Sequence, residues 1–299
     1  MAGVIFSASR SFCKYGQGAA RRLAEAGWSI RYDDWPPKAA RIEDVVDLVV
    51  STQKVDAESI GAAVNLRRIA KYGTGVDNID LDAVRRRGIA LFTAAGANTE
   101  AVAEMALALM LAVGRGVSAA DASIRKGGWA RSVGVELAGK KVGLVGMGAI
   151  GRCLIKRLRG FEPVVSATDP EWDEEFAKAH SVARSDVDAI FSGSDFVSLH
   201  CPLTPKTFHL AGEKRIGMMK PTAYLINTSR GAVVDEQALF DALSDNRIAG
   251  AALDVFENEP LVGSPLAGLD NVVLTSHMGA YTYEAFIRMD EAVAKVFLD

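Results

Sequence analysis

The sequence is poor in cysteine and has no long apolar run, and each scarcity excludes a class of protein. Its three cysteines, Cys13, Cys153 and Cys201, are widely spaced and form no C-x-x-C pair, which argues against a disulfide framework and a metal site. Nowhere do about 18 uninterrupted apolar residues occur, and the amino terminus lacks the basic and apolar regions of an export signal. We therefore expect a cytoplasmic protein that holds no metal and does not enter a membrane.

An excess of charge of one sign is also lacking. The 34 basic and 37 acidic residues leave a formal net charge of -3, so there is no general electrostatic reason to bind nucleic acid or an anionic membrane. A small molecule is the expected partner. With 299 residues, of which 49% are hydrophobic, the chain is long enough for two domains.

Strand-like and helical stretches alternate along both parts of the chain. The first series contains apolar runs such as Val4–Phe6 and Val45–Val50, and a second series runs from Lys141–Val145 to Val272–Thr275. A long apolar helix after Asn98 separates the two. Such alternation is typical of parallel sheets covered by helices, so we predict an α/β fold of two doubly wound sheets that meet close to residue 98.

A glycine-rich turn follows the first strand of the second series. Lys141–Val145 leads directly into Gly146-Met-Gly148-Ala149-Ile150-Gly151, and the residues after it favour a helix. In a G-x-G-x-x-G turn the first glycine permits the tight turn, the second lets the backbone approach a pyrophosphate, and the third allows the helix to pack on the strand. The sequence therefore predicts a dinucleotide-binding Rossmann domain.

The carboxylate of Asp169 indicates which dinucleotide binds. It follows Gly151 by 18 residues, at the end of the next apolar run, where a carboxylate can bind the adenosine ribose hydroxyls. An acid there would repel the 2′-phosphate of NADP, and Pro170-Glu171 supplies no basic group nearby. NAD is the expected cofactor.

Three further segments place polar residues directly after predicted strands. They are Asn227-Thr-Ser-Arg230-Gly, Leu253-Asp254-Val-Phe-Glu-Asn-Glu259-Pro260 and Ser276-His277-Met-Gly-Ala280. Ligands of open parallel sheets bind beyond the carboxyl ends of the strands. With the segments YGTGVDNID, LAGKKVGLVGMGAIGR, HCPLT and NTSRGAVVDEQAL, these motifs make nearly the whole chain resemble the D-isomer specific 2-hydroxyacid dehydrogenases, the family that includes phosphoglycerate, D-lactate and glycerate dehydrogenases.

The resemblance implies an activity and three catalytic residues. The reaction is the NAD-dependent interconversion of a small D-2-hydroxy acid and its 2-oxo acid by hydride transfer. Arg230 is expected to grip the substrate carboxylate and carbonyl, which a planar guanidinium can do with paired hydrogen bonds. His277 is expected to exchange a proton with the substrate oxygen as general acid and base. Glu259 is expected to pair with His277 and favour the charged imidazole.

The family resemblance also implies which residues contact the cofactor and the substrate, and how the chain is divided into domains. The further cofactor residues it suggests are His200, Cys201, Pro202, Thr207, Thr228, Ser229, Asp254, Gly279 and Ala280, with Asp254 on the nicotinamide carboxamide. The backbone of Gly73, Thr74, Gly75 and Val76 is expected to bind the substrate carboxylate as an anion nest. Residues 1–97 and 280–299 form a flavodoxin-like substrate domain into which the NAD-binding domain, residues 98–279, is inserted. A homodimer is expected, with the segment near 100–140 at its interface.

Three alternatives bear on the reaction. Formate dehydrogenase shares the fold, but Glu259 argues against it because that enzyme typically pairs its histidine with glutamine. An NAD-sensing protein resembling transcriptional corepressors stays open, as does a specialised family member acting on a phosphonate or a branched 2-oxo acid. Phosphoglycerate is disfavoured as substrate, because Val50 stands where phosphoglycerate dehydrogenases typically carry an arginine.

Overall fold

The computed structural model describes residues 3–299, which contain twelve strands and eleven α-helices. The strands are β1 (Gly3–Ser7), β2 (Trp28–Tyr32), β3 (Asp47–Val50), β4 (Arg68–Lys71), β5 (Ala90–Thr93), β6 (Lys141–Val145), β7 (Val164–Thr168), β8 (Ala183–Arg184), β9 (Phe196–Leu199), β10 (Tyr224–Asn227), β11 (Gly250–Leu253) and β12 (Val272–Leu274). The helices are α1 (Gln17–Glu25), α2 (Ala57–Ala62), α3 (Leu81–Arg86), α4 (Thr99–Arg115), α5 (Val117–Arg125), α6 (Ala149–Leu158), α7 (Glu174–Ala179), α8 (Val187–Gly193), α9 (Glu213–Ile216), α10 (Glu236–Ser244) and α11 (Tyr283–Leu298).

The chain forms two compact units. The first consists of residues up to Asn98 together with Ala280–Asp299, and its parallel sheet has the order β2-β1-β3-β4-β5. This is the flavodoxin-like order. All four residues of the central strand β3 are buried, as expected for a parallel strand with both faces covered.

The second unit, Thr99–Gly279, contains a seven-stranded parallel sheet of order β12-β11-β10-β9-β6-β7-β8. Numbered from its own first strand, the sheet reads 7-6-5-4-1-2-3, which is the Rossmann order extended by one strand. The prediction of two doubly wound parallel sheets, the second of Rossmann type, is therefore confirmed. The direction of connection changes between β6 and β9, and ligands of such sheets bind at that switch point.

Side chains alternate between two apolar clusters along the strands of this unit. Phe196 belongs to one cluster and Val197, its neighbour on β9, to the other, because successive strand residues point to opposite faces. Helix α4 packs on one face through residues such as Ala106 and Met110. The apolar helix predicted after Asn98 is thus a core element of this unit.

No single helix within residues 3–299 has both the length and the apolar character to cross a membrane. Helices α4 and α5 taken together are long and apolar enough, but the chain bends by 65° between them.

The last strand, β12, ends at Leu274, one residue earlier than predicted. The side chain of Thr275 turns instead toward Asp254, to whose Oδ1 its Oγ1 donates a hydrogen bond of 2.6 Å.

Candidate active site

Five strands of the second sheet end side by side, and the predicted site segments start from those ends. The register aligns their last residues in one row: Val145, Leu199, Asn227, Leu253 and Leu274. The residues that follow them are Gly146, His200, Thr228, Asp254 and Thr275. Segments far apart in the sequence therefore meet at the carboxyl edge of one sheet.

The glycine-rich turn is closely packed at Gly146 and Gly151 and open at Gly148. Gly146 has φ +103° and its backbone lies against His200, whose carbonyl carbon would be 2.7 Å from an added Cβ. A Cβ on Gly151 would overlap the Gly146 carbonyl, so only a glycine at this position lets the helix pack this closely on the turn. Gly148, by contrast, faces open space. Helix α6 begins at Ala149, followed by Ile150, and has no acidic residue in its first turn. Its N-terminal N–H groups can therefore attract an anion.

Asp169 closes this turn from the neighbouring strand. Its Oδ2 accepts a hydrogen bond from the Met147 N–H at 2.6 Å, and its Oδ1 accepts one from the Glu171 N–H at 2.8 Å. An open cleft of about 580 Å³ lies beside it, lined by Thr168, Asp169, Arg184, Ser185 and Asp186. Pro170 and Glu171 supply no basic group directly after Asp169, but β8 runs beside β7 and brings Arg184 to the same cleft.

The segment after β9 is held by its own side chains. Thr207 Oγ1 donates to the Pro202 carbonyl at 2.6 Å and accepts from the Thr204 N–H at 2.8 Å, which fixes the turn between them. Cys201 is buried, and burial raises its pKa to about 11, so its thiol stays neutral. Burial lowers the pKa of His200 to about 4, and its Nε2 lies 2.9 Å from Ser198 Oγ.

The lowered pKa of His200 predicts an acid-sensitive fold. Above the ordinary value of 6.5 both folded and unfolded chains carry neutral His200, so this contribution to stability is intact. As the pH falls toward about 4, the unfolded chain binds a proton that the folded chain refuses, and the free energy of unfolding falls by at most about 1.4 kcal/mol per pH unit. Urea unfolding of wild type and His200→Gln across this range measures the difference. If the free energy of unfolding depends equally on pH in both proteins, His200 does not have the lowered pKa.

The turn after β10 presents Arg230. Asn227, fully buried, accepts hydrogen bonds on Oδ1 from the Ser229 N–H (3.0 Å) and Ser229 Oγ (2.8 Å), and its Nδ2 donates to the Arg230 carbonyl at 2.9 Å. Arg230 Nη1 in turn donates to the Ser229 carbonyl at 2.7 Å. Thr228 Oγ1 is buried without a hydrogen-bond partner among residues 3–299. A buried hydroxyl without a partner is a natural contact for a bound ligand.

His277 and Glu259 form the pair that the family resemblance implies. His277 Nδ1 lies 2.7 Å from Glu259 Oε2, and Glu259 Oε1 accepts the Phe256 N–H at 3.1 Å. Burial opposes ionisation of Glu259, but the hydrogen bond and charge of His277 outweigh it and lower the pKa of this carboxyl below its ordinary value. The positive charge of Arg230 acts in the same direction. Glu259 is therefore a carboxylate at neutral pH.

Asp254 holds the turn that carries His277. Its buried carboxylate accepts hydrogen bonds from Thr275 Oγ1 (2.6 Å), the Met278 N–H (2.9 Å) and the Gly279 N–H (2.7 Å). The His277 N–H donates to the Asp254 carbonyl at 2.8 Å, and His277 has φ +52°. Left-handed conformations of this kind in non-glycine residues cluster at functional sites, where surrounding contacts stabilise them. Sequence reasoning did not foresee that Asp254 supports His277.

Gly231 is a second residue that sequence reasoning missed. A Cβ there would overlap the peptide between Phe256 and Glu257, so only glycine lets the Arg230 segment approach the segment that carries Glu259. The two segments are joined again nearby, where the Glu236 N–H donates to Glu257 Oε1 (3.0 Å) and the Glu257 N–H to Glu236 Oε1 (2.5 Å). The motif Arg230-Gly231 offered the only signal for this contact.

The predicted anion nest lies in the first unit, after β4. Gly73 has φ +141°, its carbonyl accepts the Ala94 N–H at 3.0 Å, and the Val76 carbonyl accepts the Ile79 N–H at 3.0 Å. Within residues 3–299 no backbone carbonyl accepts the N–H groups of Thr74, Gly75 or Val76. Three successive N–H groups without a backbone acceptor are what an anion-binding nest requires.

The Rossmann strand order, the glycine-rich turn and the histidine–carboxylate pair beside an arginine define an NAD-binding oxidoreductase. Residues 107–279 match the family model described as D-isomer specific 2-hydroxyacid dehydrogenase, NAD binding domain. The chain belongs to the D-isomer specific 2-hydroxyacid dehydrogenase family.

Named relatives and a solved structure agree with this membership. The chain is 44% identical to a glyoxylate reductase of Thermococcus litoralis, over 87% of this chain and 82% of the relative. It is 42% identical to a D-3-phosphoglycerate dehydrogenase of Methanocaldococcus jannaschii, over 82% of this chain but 48% of the relative. The crystal structure of a D-lactate dehydrogenase from Aquifex aeolicus, complexed with NAD and lactic acid, is 27% identical with TM-score 0.86, covering 98% of this chain and 93% of that one.

The chain is accordingly an NAD-dependent oxidoreductase that interconverts 2-hydroxy acids and 2-oxo acids. The alternative of an NAD-sensing corepressor receives no support from these relatives, whose names are those of enzymes. NAD also fits the residues of the second unit, because Gly148 leaves open space before the N-terminus of α6 and Thr228 offers an unpartnered buried hydroxyl.

Proposed function

We propose that this dehydrogenase reduces a small, unphosphorylated 2-oxo acid of the glyoxylate type, with His277 as the proton donor. The 2.7 Å contact between His277 Nδ1 and Glu259 is the observation that carries the proposal. This contact orients the imidazole through Nδ1 and leaves its Nε2 for the substrate oxygen. NADH, when bound, supplies the hydride that reduces C2.

Arg230 is proposed to orient the substrate. Its guanidinium can form paired hydrogen bonds with a carboxylate and polarise the adjacent carbonyl. As hydride reaches C2, negative charge develops on the carbonyl oxygen, where Arg230 stabilises it and the His277 imidazolium donates its proton. In the oxidative direction neutral His277 accepts the proton from the hydroxyl. Glu259 stays ionised in both directions.

The residues proposed to hold NAD lie along the carboxyl edge of the second sheet. The turn from Gly146 to Gly151, with Ala149 and Ile150, faces the pyrophosphate, and Asp169 faces the adenosine ribose. The contacts proposed for the remainder of the cofactor are His200, Cys201, Pro202, Thr207, Thr228, Ser229, Asp254, Gly279 and Ala280. The role of Asp254 on the nicotinamide carboxamide stays a prediction beside its observed contacts with the His277 turn.

The first unit is proposed as the substrate domain, residues 1–97 and 280–299, and residues 98–279 as the NAD-binding domain. The backbone N–H groups near Gly73–Val76 support a carboxylate nest in it. Val50 favours an unphosphorylated substrate, because it is fully buried in the apolar core of this unit and offers no cation for a phosphate. The 44% identity to a glyoxylate reductase points in the same direction.

A panel of 2-oxo acids tests the proposed substrate. Loss of NADH absorbance is expected with glyoxylate and hydroxypyruvate, with kcat/KM at least about 10-fold above that for phosphohydroxypyruvate, because no cation at Val50 neutralises the added phosphate charge. Pyruvate and phenylpyruvate serve as matched acids with other side chains. Preference for phosphohydroxypyruvate would contradict the proposal, and no turnover with any acid would contradict the assigned reaction.

A homodimer is proposed from an exposed apolar surface. Val117, Ile124, Trp129 and Val133 expose half or more of their area, Trp129 exposing 74%, and large exposed apolar patches mark interaction sites. Light scattering after size-exclusion chromatography is expected to give about twice the chain mass of 31.8 kDa; the mass of one chain would contradict it.

The three free thiols accord with the proposed cytoplasmic location.

A further inference from the structure

Two glutamates join the segment that carries Arg230 to the segment that carries Glu259. The Glu236 N–H donates to Glu257 Oε1 at 3.0 Å, and the Glu257 N–H donates to Glu236 Oε1 at 2.5 Å. Each carboxylate therefore bonds the backbone of the other residue. Because hydrogen bonds to a charged carboxylate are roughly twice as strong as neutral ones, this reciprocal pair fixes the two segments against each other.

Glu257 is held from two further elements. Glu236 is the first residue of α10, and the N–H groups of a first helical turn lack partners within the helix and attract negative charge. The N-cap Asp235 accepts the Ala238 N–H at 3.0 Å, and Glu257 brings a second carboxylate to this turn. On its other side, His209 Nε2 lies 3.2 Å from Glu257 Oε1. The side chain of Glu257 thus has a defined position.

The peptide between Phe256 and Glu257 connects this pair to Glu259. The Phe256 N–H donates to Glu259 Oε1 at 3.1 Å, and the next N–H along the chain, that of Glu257, bonds Glu236. The same peptide is the one that a Cβ on Gly231 would overlap. A shift of this peptide would therefore move the hydrogen-bond donor that holds Glu259.

Electrostatics also place Glu236 close to Glu259. Burial raises the pKa of Glu236 above its ordinary value. The hydrogen bond from the Glu257 N–H opposes this shift, and the negative charges of Glu257 and Glu259 add to it. The charge of Glu259 is thus felt at Glu236, across the two segments that the pair joins.

We propose that Glu257, with Glu236 as its partner, is a positioning residue for proton transfer. It sets the place of the Phe256–Glu257 peptide and, through the Phe256 N–H, the place of Glu259 beside His277. The inference rests on the proposed role of the His277–Glu259 pair. Loss of the reciprocal bonds would misorient the imidazole, which slows proton transfer to the substrate oxygen but leaves NADH binding intact.

A double-mutant cycle on kcat tests this role. Glu257→Ala is expected to lower kcat about 10-fold, the effect of one charge-assisted hydrogen bond. In a Glu259→Ala background the same substitution should change kcat less than about 2-fold, because the carboxylate that it positions is gone. Glu257→Gln keeps an oxygen that accepts the Glu236 N–H, so it should restore most of the lost kcat. Fluorescence titration should give an unchanged Kd for NADH in each variant.

Glu236→Ala is the second variant, since it removes only the bond from the Glu257 N–H and should show the same dependence on Glu259. Glu213→Ala is the matched control, because Glu213 is an exposed first residue of α9, as Glu236 is the first residue of α10; its kcat should be unchanged. Equal losses of kcat with and without Glu259 overturn the positioning role, as does wild-type kcat in Glu257→Ala and Glu236→Ala. Wild-type kcat in Glu259→Ala instead overturns the proposed role of the His277–Glu259 pair, which separates the two claims.

Discussion

Replacement of His277 by alanine is expected to lower kcat for reduction of a 2-oxo acid by about 100-fold or more, the range for loss of a general acid. The Kd for NADH should be unchanged, because the imidazole acts on the substrate oxygen. The pair with Glu259 at 2.7 Å is the reason for the prediction. Steady-state rates with NADH fluorescence titration measure both quantities.

Two matched variants separate catalysis from folding. Glu259→Gln keeps a hydrogen-bonding side chain beside His277 but removes the carboxylate, so kcat should fall while the Kd for NADH stays unchanged. His180→Ala, a histidine at the end of α7, should leave kcat unchanged. Wild-type kcat in His277→Ala would rule out the proton-donor role.

Replacement of Arg230 by lysine is expected to lower kcat/KM for the 2-oxo acid by roughly 100-fold to 1,000-fold. Lysine keeps the positive charge but cannot form the paired hydrogen bonds that orient a carboxylate and its neighbouring carbonyl. The turn that carries Arg230 is fixed by Asn227, which bonds the Arg230 carbonyl and the Ser229 N–H, so the lysine starts from the same backbone. Initial rates over a range of 2-oxo acid concentrations give the ratio.

Arg215→Lys is the control for this substitution. Arg215 pairs with Asp188 at 2.7 Å and donates to the Leu210 carbonyl at 3.0 Å, so its replacement tests a structural arginine of the same unit. Its kcat/KM should stay close to that of wild type. If Arg230→Lys retains full kcat/KM while melting normally, the guanidinium does not orient the substrate.

Ligands of open parallel sheets bind beyond the carboxyl ends of the strands, and this rule made much of the site predictable from sequence. Gly146, His200, Thr228 and Asp254 each follow an apolar run in the sequence, and the parallel register places these run ends in one row. The contact between His277 and Glu259, in contrast, followed from the family resemblance, since spacing alone does not say which side chains touch. The structure shows the pair directly.

Contacts between neighbouring segments lay outside what sequence patterns report. Arg184 belongs to a two-residue strand that no periodicity marks, and its proximity to Asp169 depends on the pairing of β7 with β8. Asp254 supports the His277 turn through three hydrogen bonds across 21 or more positions of sequence. Gly231 matters through a backbone approach that a glycine in a loop does not reveal.

The stereochemistry of the product tests the central claim most directly. With hydroxypyruvate and NADH, an enzyme of this family in which His277 and Arg230 act as proposed should form D-glycerate, one molecule for each NADH consumed. Chiral chromatography of the product, with the loss of NADH absorbance measured in the same sample, gives both quantities. L-Glycerate, or NADH oxidation without glycerate, would contradict the account.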